Sequence, residues 1–506
     1  MDWMHGYYAG LGYSYGYYAE TMPVRIRWSS MLHGHLIPER NFRYLDAGCG
    51  QGLNLVIAAA MHPESEFVGI DFMPEHIIHA RRLAERCGID NVTLIEGDFF
   101  ELAKDPGALG EFDITVCHGI STWIAPGVKE ALFSLVAATL RPGGVFYNSY
   151  NTHPGWLGTV PFQHLVLLNQ RNNIGIEAVN SARQSMDKLN EISDKLYAAL
   201  PTLPTRLKTL DNHNASYLLQ EYANQHWQPL FVSEMFDQMA AVKLDFLGTA
   251  TLSDAFDRLL DPKLRELLQE QPDVTLREQM RDYAHVQSFR RDLYVKGKPA
   301  VWEFELADAI RATRVMVNPL TARPAEGEAY KIRASMNELA GKAEYYNSLI
   351  ARIEGHAEGI SIGELADMET DRSRQSMITE TLSMMIHGGW VSLRVAEPNP
   401  RGPEISRNLA EIFCQGGPYR EFPLPATGCA HRFSDTDMIM IKLVSDGVSR
   451  DQLPQRLTDT LTKLRRQLAK DGKPVADDAE RDALRDKMVE EFFEKKLPYF
   501  KQVNLL

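Results

Sequence analysis

The chain has 506 residues, 44% hydrophobic and 24% charged, ordinary values for a globular protein, and at roughly 100–200 residues per domain it has room for two to four domains. Its 54 lysines and arginines against 67 aspartates and glutamates leave a formal charge of −13, which argues against a general nucleic-acid binder, because phosphate contacts need a basic surface. No apolar run approaches the roughly 18 residues of a membrane span, and the start Met1-Asp2-Trp3-Met4 lacks the basic and apolar regions of a signal peptide. Cys49, Cys87, Cys117, Cys414 and Cys429 are too scattered for a disulfide framework or a zinc site, so a reduced, cytoplasmic, metal-free protein is expected.

In chain order, residues 42–46 predict a short strand ending in a Gly-rich turn, and 53–61 an Ala-rich apolar helix. A second strand follows at 66–71, then a helix over 74–87 with Ile77, Ala80, Leu83 and Ala84 on one face. Strands at 92–95 and 112–117, a helix over 128–140 stopped by Arg141-Pro142-Gly143-Gly144, and a fifth strand at 145–150 complete this part. Strands alternating with helices imply parallel βαβ units in a doubly wound sheet.

From 161 to about 224 the pattern turns helical and polar, after which 232–241 predicts a helix and 243–250 and 289–296 predict strands. The first unit is therefore expected over 1–298, interrupted by helical inserts at about 158–225 and 253–287. The alternative is an independent helical domain at 158–330. Residues 299–330, with Pro299, Pro319 and Pro324, read as a linker. Helices at 336–354, 362–367 and 372–387 followed by a strand at 390–395 have the order of a winged-helix-like module over 331–397. A C-terminal helical region, 398–506, ends in charged helices at about 456–469 and 477–496. The segment 372–387 carries Arg372 and Arg374, but Asp371 and Glu380 break any phosphate-binding stripe, so protein docking is the preferred role for this module.

The sharpest motif is Asp46-Ala47-Gly48-Cys49-Gly50-Gln51-Gly52, placed between a strand and a helix. Glycines allow a tight turn and close approach to a ligand, and the following helix offers free N–H groups. Nucleotide-binding domains use a similar turn, but Asp46 would repel a pyrophosphate and suits the amino group of a methionine moiety. Asp71 ends the next strand, where a carboxylate can take both ribose hydroxyls. Asp98-Phe99 follows the third strand, a carboxylate for an exocyclic amine and a ring for the adenine face. Singly, Asp71 also suits a helix cap, Asp98 a turn and Phe99 a core; together they point to S-adenosyl-L-methionine. Gly48, Cys49, Gly50, Gly52, Phe72, His118, Gly119 and Tyr15 complete the candidate cofactor shell.

With this motif, the stretches Tyr15–Glu20, Cys117–Ile124, Ser149–Trp156 and Phe289–Leu293 carry a resemblance to class I S-adenosylmethionine-dependent methyltransferases. More narrowly, the sequence resembles bacterial members with a methyltransferase regulatory domain and a protein-lysine-methyltransferase-type C-terminal domain. The resemblance covers nearly the whole chain, thins after Leu393, and is specific for the family and not for a substrate. It implies an α/β fold, a Rossmann-like seven-stranded methyltransferase sheet with helical inserts, plus an α+β C-terminal part.

Ligands of open α/β sheets bind outside the carboxyl ends of the strands, which puts His118, Trp123, Tyr150 and Asn151, with Tyr17 from the N-terminal stretch, near the transferred methyl as candidate catalytic residues. Methyl transfer is an in-line displacement that needs an aligned acceptor. The first expectation is a protein substrate with a lysine amine as acceptor, aimed by tyrosine hydroxyls and Asn151, with aromatic faces of Tyr17 or Trp123 drawing positive charge. A glycan, lipid-linked sugar or other small-molecule acceptor is the alternative, with His118 or His153 as base; a cofactor-binding regulator without turnover is a third reading. Trp156 reads as a turn anchor. The Tyr-rich stretch Tyr7–Tyr18 suits a lid, a tail or a homodimer contact, and these stay open.

Overall fold

The computed structural model describes residues 5–6, 15–335, 338–470 and 473–506. The Tyr-rich stretch from 7 to 14, and with it the lid reading, lies outside them. The core is a seven-stranded sheet built from β1 (Arg43–Ala47), β2 (Glu66–Asp71), β3 (Val92–Glu96), β4 (Phe112–His118), β5 (Leu140–Asn151), β6 (Asp245–Thr249) and β7 (Phe289–Val295). The spatial order is β3-β2-β1-β4-β5-β7-β6. β1 to β5 run parallel, and β7 runs antiparallel to both β5 and β6. The expected Rossmann-like methyltransferase sheet is thus present. Its strand order reverses beside β1, so the Gly-rich turn opens at the switch point where such sheets bind ligands.

Alternation along β5 sets what faces where. Val145 and Tyr147 join the apolar cluster that contains Leu55, Val56 and Ile77. Phe146 and Tyr150 join the opposite cluster, with Leu132, Phe133, Val232 and Tyr294. The helix Leu53–Met61 has every residue buried. A helix apolar all round needs cover on both sides. The sheet supplies one side; the helix Gly402–Cys414 and the hairpin of β13 (Glu421–Leu424) and β14 (Cys429–Arg432) supply the other. Asn399 Nδ2 also donates to the Ala60 carbonyl at 2.6 Å, and Trp28 Nε1 donates to Ser383 Oγ at 3.1 Å. The last third of the chain therefore shares its core with the sheet.

Two stretches differ from expectation. Residues 299–330, read as a linker, contain the helix Glu303–Ala312 and the strand β8 (Arg314–Val317), which lies between β11 (Ile360–Ser361) and β12 (Val391–Arg394) as the centre of a small antiparallel sheet. Pairing to a distant strand fixes this stretch, and that signal is not local. The helix expected over 336–354 begins only at Ala343, because β10 (Glu338–Gly341) pairs with β9 (Tyr330–Arg333). The expected 372–387 helix is split at Met377 into Arg372–Ser376 and Ile378–His387. No described helix is long and apolar enough to cross a membrane.

Because the core is shared, truncating it from the C-terminal side should destabilise the whole. Phe422 is fully buried in the cluster with Leu55 and Ala59. Phe422→Ala should cost about 3–5 kcal/mol in urea unfolding and lower a single transition followed by probes in both regions. A separate early transition of the C-terminal third alone would contradict the shared core.

Candidate active site

The Gly-rich turn wraps the carboxyl ends of β1 and β2. Gly48, Gly50 and Gly52 all have positive φ, at 91°, 54° and 77°. A Cβ on Gly48 would sit 2.8 Å from the Ile120 side chain, and one on Gly52 would collide with Ala80. Only glycine keeps this cradle open while letting the helix Leu53–Met61 start flush against its neighbour.

A continuous cleft runs over the turn. Its polar end is lined by Asp46, Gly48, Cys49, Gly50, Asn54 and His118, with Tyr18 and Trp123. Its apolar end is lined by Phe72, Asp98, Phe99, Ile120, Ile124 and Val128. Gly48, Asp71, His76 and Ile120 belong to both ends. Asp71 is fixed by three donors: Gly50 N–H to Oδ2 at 2.9 Å, and Met73 N–H at 2.9 Å and His76 Nδ1 at 3.0 Å to Oδ1. Asp98 accepts from the Phe100 N–H at 2.8 Å, so it does cap a helical turn, while Oδ2 lies 2.7 Å from His5 Nε2. Asp46 is 5% exposed; burial, then the neighbouring Asp71 carboxylate, push it up to about 7. A buried acid that lacks a counter-charge suits a cationic group. An acid at one end, a carboxylate at the waist and an apolar slot at the other match the amine, ribose and adenine of S-adenosylmethionine in that order.

His118 ends β4 on the Tyr147 face. Its Nδ1 lies 3.0 Å from both the Tyr147 and Ser149 hydroxyls, and Ser149 Oγ also accepts from Gly119 N–H at 2.9 Å. The ring stacks on Tyr18, centroids 3.8 Å apart. Burial and then the Arg291 guanidinium push it down to about 3, against the pull of Glu20. Burial would raise Glu20, but Arg291 and Arg25 hold it below the usual carboxylate range. His118 is therefore a neutral wall, far too weak a base to take an acceptor proton near neutral pH. His153 packs beside Phe231, centroids 5.0 Å apart, and does not line the cleft.

Three expected residues lie elsewhere. Tyr150 faces the opposite helix layer; it is fully buried, and its hydroxyl donates to Asp292 Oδ2 at 2.6 Å. Tyr17 points away from the cleft and accepts from the Ala430 N–H at 2.7 Å in the C-terminal hairpin. Tyr15 packs against His79 and Tyr419 at ring distances of 5.0 and 5.4 Å. The aromatic residue at the cleft is Tyr18, whose N–H donates to Asn54 Oδ1 at 3.0 Å. Trp156 does anchor its turn, donating to the Ser288 carbonyl at 2.7 Å.

Asn151 ends β5 on the His118 side and leads to a residue that no local pattern marks. Its Nδ2 donates to Glu221 Oε1 at 2.9 Å, and its N–H donates to Thr122 Oγ1 at 3.3 Å beside Trp123. Glu221 lies on the helix Ala215–Tyr222 and is 3% exposed. Burial raises it to about 7, although the bonds from Trp227, Asn151 and Tyr217 oppose the rise. Tyr217 is 40% exposed, so the cluster reaches solvent.

The raised Asp46 has a sign that can be checked. Its folded pKa exceeds the unfolded value of about 3.9, so the native state binds more protons between about pH 4 and 7. Stability of the cofactor-free protein should fall as pH rises through that window. Asp46→Asn should lose this slope and gain on the parent by a few kcal/mol between about pH 5 and 7.5 in chemical denaturation. A constant gap across that range would mean Asp46 is not held neutral.

Residues 38–229 match the family described as a methyltransferase domain, and residues 214–296 that described as a predicted methyltransferase regulatory domain. The chain is 27% identical to an uncharacterized protein of Synechocystis sp. over 100% of both chains. An uncharacterized protein of Rickettsia prowazekii is 25% identical over 63% of this chain and 58% of its own. The structure of PKMT2 from Rickettsia typhi in complex with AdoHcy aligns at a TM-score of 0.72 and 20% identity, covering 98% of this chain and 99% of that one. A second PKMT2 structure gives 0.70 at 18% identity over the same shares. The chain is a class I S-adenosylmethionine-dependent methyltransferase with a regulatory segment at 214–296 and a C-terminal part folded like that of PKMT2.

Proposed function

We propose that the methyl acceptor is a lysine side chain of a protein, bound between Tyr18, Trp123 and the Asn151–Glu221 pair. The observation that carries this is the buried Glu221 carboxyl, set beside the end of β5 and titrating near 7. PKMT2, whose fold matches along the whole chain, supports the same reading.

S-adenosylmethionine supplies an electrophilic methyl on a sulfonium. The chain must then deliver a neutral amine, although free lysine has a pKa near 10.4. Ionised Glu221 pairs with the entering ammonium. Burial of the amine lowers its pKa toward that of Glu221, and the proton can pass to the carboxylate. Asn151, with its amide spent on Glu221, positions that carboxylate. Tyr18 and Trp123 offer ring faces to the positive charge. On the cofactor side, Asp46 faces the amine, Asp71 the ribose, and Asp98 with Phe72 and Phe99 the adenine; Gly48, Cys49, Gly50 and Gly52 form the floor and Gly119 braces His118. Residues 1–298 would form this transferase unit, and the C-terminal part would present the target. Neither His118 nor His153 supplies a base at the cleft, so the proton of any acceptor falls to Glu221.

Labelled methyl from S-adenosylmethionine, incubated with a cell extract, should enter protein and be found on lysine by mass spectrometry. Label confined to glycan or small-molecule fractions would overturn the lysine reading and leave the cofactor site standing. Glu221→Gln should lower kcat by about 100-fold or more with cofactor affinity unchanged, and should remove the rise in activity through about pH 7 expected of the parent. Asp71→Ala should do the reverse, weakening cofactor binding by an amount on the order of 1.5–3 kcal/mol in direct titration. Unchanged binding would misplace the ribose.

A further inference from the structure

A cavity of about 430 Å³ lies between β6, β7 and the helix Val274–His285. Apart from His33 and Glu380 its lining lies within 214–296, and it shares no lining residue with the cofactor cleft. Its wall carries both signs of charge, but the two are not equally engaged. Glu278 accepts from Arg281 Nε at 3.2 Å and Arg290 Nη2 at 3.1 Å. Asp292 accepts from Tyr150 and from Arg290 Nε at 2.9 Å. Asp257 accepts from Arg281 Nη2 at 2.7 Å, and Glu380 lies 3.6 Å from Arg258.

The capacity left over is mostly that of donors. The donors Arg281 Nη1 and Arg291 Nε are buried without a hydrogen-bond partner, and so is His285 Nε2, a donor in one tautomer of the ring. Arg281 as a whole is only 8% exposed. Arg291 has Glu20 no nearer than 3.9 Å. Arg277, at the rim, makes no ion pair among the described residues. Against these stands Asp282 Oδ2, also unpartnered, on a side chain 1% exposed; burial raises that carboxyl to about 7, so it can serve as donor as well as acceptor. A desolvated guanidinium with an unmade bond is costly to maintain. Planar, forked donors of this kind match carboxylate and phosphate oxygens.

We propose that this cavity is a second ligand site, which takes a small anion carrying a carboxylate or a phosphate group. Its wall reaches the acceptor side of the enzyme. The Arg290–Asp292 pair holds Tyr150, the neighbour of Asn151, and Arg291 faces Glu20, two residues from the cleft aromatic Tyr18. An anion that draws Arg291 away from Glu20 would therefore act on the wall formed by Tyr18 and His118.

The test is calorimetric titration of the full chain with inorganic phosphate and with succinate at constant ionic strength, with chloride as control. One of the two probes should bind saturably and one to one, and should still bind with S-adenosylhomocysteine saturating. Arg277→Gln, which breaks no hydrogen bond or ion pair among the described residues, should weaken that binding about tenfold and leave S-adenosylhomocysteine affinity unchanged. Arg281→Gln should weaken it further wherever that variant folds. Preference for phosphate or for succinate identifies the anion chemistry. Absence of saturable binding by either probe would overturn the proposal. Displacement by S-adenosylhomocysteine, or full retention in Arg277→Gln, would do the same by placing the anion elsewhere.

Discussion

The helix Leu53–Met61 has no polar face, and most of the architecture answers to that. It begins at Gly52, whose left-handed conformation ends the cofactor turn. Its inner side lies on the sheet, and its outer side would meet water but for the helix Gly402–Cys414 and the β13–β14 hairpin. Burying each such side chain is worth roughly 1.5–3 kcal/mol, so the C-terminal third is held on by the element that also sets the floor of the cofactor cleft. A separately folding docking domain would need an amphipathic helix here.

The same hairpin holds the segment that carries Tyr18 to the cleft. Tyr17 and Tyr18 are adjacent and point opposite ways: the Tyr17 hydroxyl accepts from Ala430 N–H, and the Tyr18 ring lies on His118. The C-terminal hairpin thereby fixes the register of the strap 15–21, whose Tyr18 lines the cleft. Below the strap, Asp46 and Asp71 are forced together. Asp71 has three donors and Asp46 has none comparable. The asymmetry leaves one of two neighbouring carboxyls poised to gain from a cation, the usual result when like charges share a buried site.

Elements whose signal is local were legible. The helices at 53–61, 74–87 and 232–241 carry their own periodicity and stops, and their ends agree residue for residue with the structure. The cleft residues Asp46, Asp71, Phe72, Asp98 and Phe99 were readable for a related reason: each lies at or within three residues of the carboxyl end of its strand, and strand ends are where a parallel sheet exposes its loops. Tyr150 shows the limit. Position along the strand was right and face was not, although the Val145–Tyr147 alternation against Phe146 held the information. Tyr17 for Tyr18 is the same one-residue error on an extended segment. Glu221 had no local mark at all, because its partner Asn151 is 70 positions away. β8 was hidden likewise, since a strand paired only with 360–361 and 391–394 leaves no trace in its own neighbourhood.

The two halves of the reaction are therefore built differently. The cofactor half comes from consecutive loops of β1 to β4 and needs little beyond the sheet. On the proposed function the acceptor half joins β5 to a helix of the segment inserted before β6, and the buried Arg290–Asp292–Tyr150 network ties that side to β7. Loops and inserts on a fixed scaffold can change without disturbing the strand ends that hold the cofactor. That proposal places acceptor choice where the sheet constrains least, and the proposed anion beyond β7 would reach the acceptor wall through Arg291. That separation requires the acidic residues around Arg290 to stay paired, since an uncompensated buried arginine would cost more than any regulatory advantage could offset.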